Sequence, residues 1–360
     1  MTTRGAIHQI MPAFLYADAL GNQAERIRAQ LRQWGYESQI YTQIRDRRWA
    51  DPGLDFAHYR GRADQTVIFH YSIGSTLTAR VLNLPAQVVP YYHNVTPPEF
   101  LRGYNPELAP LLDQGQRELE LFKAAPYALA ASEFNRQEML ARGFARVDVL
   151  PYFVTFDALR ASAHSPIGRE TAARYASNRV NVLFVGRLVP NKCQDDLIRV
   201  MNYYQRLIDP AARLLLVGGE ANAPGYRLEL QTLIEVLGVR NVELAGSIGP
   251  REGLGGYYQA ATAFVCLSEH EGFCVPLLEA MAFDVPVIAF KSTGVPYALG
   301  DAGLLLADKS FEVVGEAVDL LHTDQTRRQS VIDSQRQRLS DFSPERVAAQ
   351  LRACLQSIPV

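Results

Sequence analysis

The sequence predicts an α/β protein made of two doubly wound halves, and three observations carry that reading. Apolar runs of strand length recur along the chain, each followed by a polar or glycine-containing turn and then a stretch with helical spacing. The pattern is interrupted once, over residues 155–178, and then starts again. A length of 360 residues is enough for two hydrophobic cores of ordinary size.

Taken in order, residues 7–12 form a first strand, which enters a loop holding Gly21 and Asn22. Residues 24–34 follow as an amphipathic helix with Ile27, Leu31 and Trp34 on one face, and residues 37–42 alternate as the next strand. This β-α-β unit puts the Gly21 loop at the carboxyl end of a strand, where open parallel sheets bind ligands. Residues 45–65 are charged and aromatic without a period and read as an irregular connection or a short helix. Two buried strands, 66–69 and 87–92, then run into polar loops that begin with His70 and His93. A helix over 110–122, a strand over 127–130, a helix over 132–142 capped by Ser132 and a strand over 148–152 complete the first half.

Residues 155–178 exchange the apolar pattern for Ala, Ser, Pro and Arg, the composition of an interdomain linker with a partial helix. The second half runs strand 180–185, helix 193–207, strand 213–217, helix 227–237, strand 242–244, a helix around 256–260, strand 263–267 and strand 285–290. A tail helix over 344–358 follows, with Ser343 as cap, Pro344 in the first turn and Val347, Leu351, Leu355 and Ile358 at helical spacing. The boundaries expected are 1–155 for the first domain, with residues 343–360 returning to it, and 156–342 for the second.

Hydrophobic content of 48% and charged content of 21% belong to a soluble globular protein. With 36 Lys and Arg against 38 Asp and Glu, the net charge of -2 gives no basic surplus, which argues against a nucleic-acid partner. The four cysteines have neither zinc-ligand spacing nor the density of a disulfide framework, and read as reduced thiols of a cytoplasmic protein. The first 20 residues lack the apolar core of a signal peptide, and no apolar run approaches the roughly 20 residues that cross a bilayer. Membrane contact, at the inner face, would be peripheral and through the N-terminal domain.

The chemistry concentrates in Ser268–Met281, where Glu271 and Glu279 are separated by seven residues across a loop that runs into a helix. With Pro276 at the first helical position, the backbone N–H groups of Phe273 to Leu278, Phe273, Cys274 and Val275 foremost, would point out of a helix N-terminus that favours an anion. Two carboxylates beside an anion site suit a ligand rich in hydroxyls, and a nucleotide sugar has both parts. Gly186, Arg187 and Lys192 follow another strand and offer a close backbone approach with two cations, an arrangement suited to a diphosphate. Gly219 and Ser247 sit in two further strand-end turns. His93 could bond a sugar hydroxyl or move a proton, with His70 competing for that place. The chain has no complete G-x-G-x-x-G for a dinucleotide, and no D-x-D to hold a metal, so no metal ligand and no cofactor are expected.

These segments resemble the retaining GT-B-fold glycosyltransferases of family four. Glu271 to Glu279 is similar to their E-x₇-E motif, with Cys274 where Gly or Ala is usual, which implies a tighter loop. Gly186 to Lys192 is similar to their G-R-L-x-x-x-K, His93 to their His-Asn-x-x-P, and Gly21 to the start of their Gly-Gly-x-E loop. The resemblance implies a GT-B fold: two Rossmann-like domains facing across a cleft, the last helix returning to the first domain, the acceptor on the first and the donor on the second. It also implies roles. Glu271 would bond donor-sugar hydroxyls, Glu279 the ribose, Arg187 and Lys192 the diphosphate, and Gly21 the phosphates, while Gly219 and Ser247 would line the nucleoside pocket. A UDP-sugar is the favoured donor and GDP-mannose the next, with a saccharide or lipid-linked acceptor in polysaccharide or glycoconjugate synthesis. A phosphorylase or epimerase on the same fold, and a non-catalytic nucleotide-sugar-binding subunit, remain as alternatives. Tyr297, where such proteins often have Glu, receives no role.

Overall fold

A computed structural model describes residues 5–16, 18–249 and 252–358, so the outer ends of the two expected domains, residues 1 and 360, lie outside the described residues. The chain divides into two compact units. The first gathers the described residues of 1–97, 110–154 and 342–360, and the second those of 98–109 and 155–341.

In the first unit, strands β1 (Ala6–Phe14), β2 (Ile40–Arg45), β3 (Leu54–Asp55), β4 (Gln65–Tyr71), β5 (Gln87–Tyr92), β6 (Ala128–Ala130) and β7 (Val147–Val149) form one parallel sheet in the order β3-β2-β1-β4-β5-β6-β7. Strand β1 lies inside the sheet, with Ile10 opposite Tyr41 on one side and Phe69 on the other. Its residues Ile7, Ile10, Met11 and Phe14 are buried, because a parallel strand is covered on both faces. The short edge strand β3 and the 3₁₀ turn Phe56–His58 occupy the stretch read as an irregular connection or short helix; a two-residue strand gives no period to detect.

The first helix, Ala19–Gln33, begins before the expected position, so Gly21 and Asn22 lie in its first turn and not in a loop. Asp18 is the cap that sequence periodicity misses, accepting from the N–H groups of Leu20 and Gly21. Glycine is required at 21 for another reason: a Cβ there would stand 2.1 Å from the carbonyl oxygen of Leu15. The tail helix Pro344–Gln356, capped by Ser343, belongs to this unit; it buries Val347, Leu351 and Cys354, and Gln350 donates to the Val149 carbonyl at 2.7 Å. No helix among the described residues is long and apolar enough to cross a membrane.

In the second unit, β8 (Asn181–Val185), β9 (Arg213–Val217), β10 (Val242–Gly246), β11 (Ala263–Cys266), β12 (Val287–Phe290) and β13 (Leu304–Leu306) form a second parallel sheet in the order β10-β9-β8-β11-β12-β13. Each unit is thus a doubly wound parallel sheet clothed in helices, as the sequence predicts. The stretch with linker composition is two helices, Asp157–Ala163 and Pro166–Tyr175, packed on helix Leu254–Ala260. A Cβ on Gly255 would fall 2.4 Å from the Leu159 carbonyl oxygen, and one on Gly256 2.3 Å from that of Gly168. The small residues that imitate a linker are therefore what lets these helix backbones approach. Beyond residue 298 the sequence reading assigns no element before the tail, yet helices Phe311–Thr323 and Gln325–Leu339 stand there. Buried Gln335 completes the hydrogen bonding at the start of β12, accepting from Val287 N–H at 2.8 Å and donating to the Val285 carbonyl at 2.9 Å. Residues 98–109 also group here, with the Tyr104 hydroxyl donating to Glu229 at 2.7 Å.

Gly21→Ala is expected to destabilise the protein by roughly 1–3 kcal/mol, the cost of forcing a methyl group into a closed contact. Asn22→Ala, exposed in the same turn, should change stability by less than about 0.5 kcal/mol. Urea unfolding of both variants is the check; equal stability of the two would remove the Leu15 contact as the reason for glycine.

Candidate functional site

The second unit brings its site together by joining strand-end loops through the backbone. Past β8, the Gly186 N–H donates to the Val217 carbonyl at 2.9 Å and the Leu188 N–H to the Gly219 carbonyl at 2.8 Å. Past β9, the Gly218 N–H donates to the Gly246 carbonyl at 2.8 Å. Gly186, Gly219 and Ser247 are thereby neighbours, and a Cβ on Gly219 would touch the Ser247 Cβ at 3.4 Å. The residue the geometry cannot replace is Gly218, where a Cβ would fall 1.7 Å from the Gly186 carbonyl oxygen. The doublet Gly218-Gly219 is its only trace in the sequence.

A second set of bonds fixes the loop after β8 to the loop after β11. Buried Asn191 donates from its side chain to the His270 carbonyl at 3.0 Å, and its own carbonyl accepts from the Glu269 N–H at 2.9 Å. The result is an ion pair between Lys192 Nζ and Glu271 Oε2 at 2.5 Å, with the two side chains only 13% and 10% exposed. Arg187, the other expected cation, is exposed, and its carbonyl is held by the Gln194 side chain at 2.8 Å. The two cations therefore differ in state, since Lys192 is half-buried in an ion pair and Arg187 faces water. Burial and the Lys192 charge hold the neighbouring His270 down at about 4, so its ring is neutral at physiological pH.

Glu271 is gripped from a third direction. The Thr293 hydroxyl accepts from the Glu271 N–H at 2.8 Å and donates to the Glu271 carbonyl at 2.9 Å, and the Gly294 N–H donates to the same carbonyl at 2.9 Å. A Cβ on Gly294 would lie 2.5 Å from the Gly272 carbonyl oxygen. Thr293 is left-handed at φ 37°, a backbone state that costs a β-branched residue energy and persists because its surroundings impose it.

The departure at Cys274 has a backbone explanation. Its φ of 72° and ψ of 68° are left-handed, which is why glycine suits this place. Helix Val275–Ala282 starts immediately after it without a side-chain cap, and Pro276 is its second residue. The expected row of amides is shorter than the sequence implies, because Pro276 has no N–H and the Leu277 N–H donates to the Cys274 carbonyl at 3.2 Å. Phe273 is buried beside it. One turn into the helix, half-buried Glu279 accepts from the Tyr258 hydroxyl at 2.7 Å, and burial raises its carboxyl above the ordinary value. Tyr258 and Asn191 carry no motif and cannot be singled out from sequence. Tyr297 lies in helix Val295–Leu299, its carbonyl accepting from Arg338 at 2.5 Å.

In the first unit His93 occupies a different setting from the one expected. It is buried, with Nε2 3.0 Å from His70 Nδ1 and Nδ1 2.9 Å from the Tyr152 hydroxyl, and His70 Nε2 is 2.8 Å from Gln9 Oε1. The Gln9 amide donates to the Ala24 carbonyl at 3.0 Å, so its oxygen faces His70 and the chain reads in one direction: His70 Nε2–H to Gln9, His93 Nε2–H to His70, Tyr152 O–H to His93. Burial holds both rings well below the ordinary histidine value and therefore neutral. His93 would have to give up a partner before a ring nitrogen could meet a sugar. Gly21 likewise has its N–H directed at Asp18.

Residues 172–338 match the family described as Glycosyl transferases group 1. The chain is 34% identical over 173 residues to a D-inositol 3-phosphate glycosyltransferase of Corynebacterium aurimucosum, an alignment covering 47% of this chain and 41% of that one. It is 32% identical over 195 residues to a GDP-mannose-dependent alpha-(1-6)-phosphatidylinositol monomannoside mannosyltransferase of Mycobacterium tuberculosis, covering 51% and 48%. The alignments thus span less than half the length of these curated relatives. Among solved structures, Anabaena Alr3699/HepE in complex with UDP-glucose superposes with a TM-score of 0.72 over 98% of this chain and 100% of that chain at 17% identity, a likeness of fold.

Removing Lys192 alone leaves the buried Glu271 carboxylate without its cation, so Lys192→Met should lower stability by roughly 2–4 kcal/mol. The double variant Lys192→Met/Glu271→Gln should recover most of that loss. Urea denaturation of both singles and the double measures the coupling; additive losses would mean the two charges do not depend on one another.

Proposed function

We propose, from the match of residues 172–338 to the family described as Glycosyl transferases group 1, that this chain moves a hexose from a nucleoside diphosphate sugar to a saccharide or lipid-linked acceptor with retention of anomeric configuration. The observation that carries this reading is the Lys192–Glu271 pair held between two strand-end loops beside an uncapped helix N-terminus. A diphosphate placed there exchanges partners with the pair: its oxygens take the Lys192 ammonium, and the Glu271 carboxylate is released to accept hydroxyl hydrogen bonds from the sugar. Donor binding and sugar positioning then become one event. Arg187, exposed on the same loop, supplies a second cation for the leaving group.

Glu279 takes the ribose in this reading, steered by the Tyr258 hydroxyl. Gly219 and Ser247 line the nucleoside side through backbone groups, and Gly186 lets the diphosphate approach the main chain. The amides of Phe273, Cys274 and Val275 face the phosphates. A UDP-sugar is favoured and GDP-mannose is next, and both nucleotides occur in the names of the proteins compared above. The acceptor hydroxyl is deprotonated with help from the leaving diphosphate on the same face of the sugar, and no protein nucleophile on the opposite face is assigned. In the first unit Gly21 supports the phosphate-facing end through its helix turn, and His93 acts by holding Tyr152 and not as a proton carrier. The synthesis of a polysaccharide or glycoconjugate in the cytoplasm, at the inner face of a membrane, is the setting proposed.

Two outcomes test the assignment. Transfer should persist in excess EDTA, since cations of the protein and the helix end carry the leaving group's charge; complete loss restored by Mg²⁺ or Mn²⁺ would overturn that account. Calorimetry should separate the glutamates: Glu279→Gln weakens binding of the free nucleoside diphosphate by about 10- to 100-fold, whereas Glu271→Gln does not weaken it and lowers turnover. Equal nucleotide binding in both variants with joint loss of activity would show the roles to be wrong.

A further inference from the structure

Cys266 and Cys274 are distant from zinc-ligand spacing in sequence, but the fold sets them side by side. Cys266 ends β11 and is fully buried, and Cys274 occupies the left-handed position before helix Val275–Ala282. Their sulfur atoms and a carboxylate oxygen of Glu271 all lie within 4.8 Å of one another. We propose that Cys266, Cys274 and Glu271 bind one thiophilic divalent cation of the zinc and cadmium class, and that this cation inhibits the protein by occupying the carboxylate the sugar needs.

The geometry is close to what such an ion requires. Zinc–sulfur bonds of about 2.3 Å at tetrahedral angles put two thiolates about 3.8 Å apart, so closing the observed arrangement moves ligands by about 1 Å or less. Two thiolates and a carboxylate are the ligand types a zinc-class ion takes, with a water molecule in the fourth position. Charge also balances. Without metal the site holds neutral thiols, one carboxylate and the Lys192 ammonium; with it, two positive charges replace two thiol protons, and the buried sum stays at zero. The Ser268 hydroxyl, 3.3 Å from the Cys266 sulfur, accepts from that thiol and supports its orientation. Cys274 and Glu271 are each 8% exposed, so the cation has a point of entry. The other two cysteines stand apart, Cys193 beside Lys309 and Cys354 against the Val149 carbonyl.

This site stands on its own geometry, and only its effect on transfer rests on the proposed function. The experiment is a titration of the full chain, kept reduced, with Cd²⁺, followed by thiolate-to-metal charge-transfer absorption in the ultraviolet. One equivalent should saturate the band. Cys274→Gly, which suits the left-handed backbone, and Cys266→Ala should each abolish it, while Cys193→Ser and Cys354→Ser keep it. A band that survives in Cys274→Gly, or that disappears with Cys193→Ser, overturns the site. In a second arm, one equivalent of Cd²⁺ should weaken binding of the whole sugar donor at least tenfold and spare the free nucleoside diphosphate. A saturable band with unchanged donor binding would retain the site and overturn the inhibition, and with it the sugar-binding role of Glu271.

Discussion

The second unit depends on one ion pair that could not exist without the backbone around it. Lys192 and Glu271 come from loops far apart in sequence, and each alone would have to leave water at a cost its partner must offset. What holds them together is largely uncharged. Asn191 ties the two loops through its side-chain amide and its carbonyl, and Thr293 and Gly294 hold the Glu271 peptide from the other side. Because main-chain hydrogen bonds set the separation, the pair arrives already ordered and loses little side-chain freedom on forming. A ligand that replaces either partner meets an arranged counter-charge and not a flexible side chain.

Much of this was readable from the chain. The parallel strands announce themselves as short apolar runs, and Glu271, Glu279, Arg187 and Lys192 stand out because charged residues follow such runs at strand ends. What was hidden falls into three physical kinds. Close backbone approach leaves no signal except a glycine or alanine, which is why residues 155–178 imitate a linker and why Gly218 looks like any turn glycine. Side chains acting through one hydrogen bond, such as Asn191 to His270 and Tyr258 to Glu279, belong to no period and no motif. Cap residues displace boundaries, as Asp18 does by starting a helix where Gly21 suggested a loop.

The first unit shows the converse. His70 and His93 look like reactive groups at strand ends, yet they are members of a closed relay from Gln9 to Tyr152 in which donors and acceptors match one to one. Such a relay rigidifies a sheet interior because any single rotation leaves two buried polar groups without partners. Gln23 does similar work nearby, donating to the Tyr91 hydroxyl and the Pro151 carbonyl and accepting from the Phe153 N–H. Residues 151–153 are thus anchored on both sides of Tyr152, and a histidine's position after a strand tells less about its role than the partners of its two nitrogens do.

Cys193, Cys274 and Thr293 share a property that bears on how this protein can change over time. All three are non-glycine residues in left-handed backbone, at φ 53°, 72° and 37°, and all three sit in the loops that assemble the second unit's site. Each position would be relaxed by a mutation to glycine, which removes the steric penalty of a Cβ there. Selection for stability alone therefore pushes these loops toward glycine, and each such step discards a thiol or hydroxyl with specific neighbours. Strain of this kind marks where a side chain has a use besides folding, and Thr293 shows one in the two hydrogen bonds its hydroxyl makes to the Glu271 peptide.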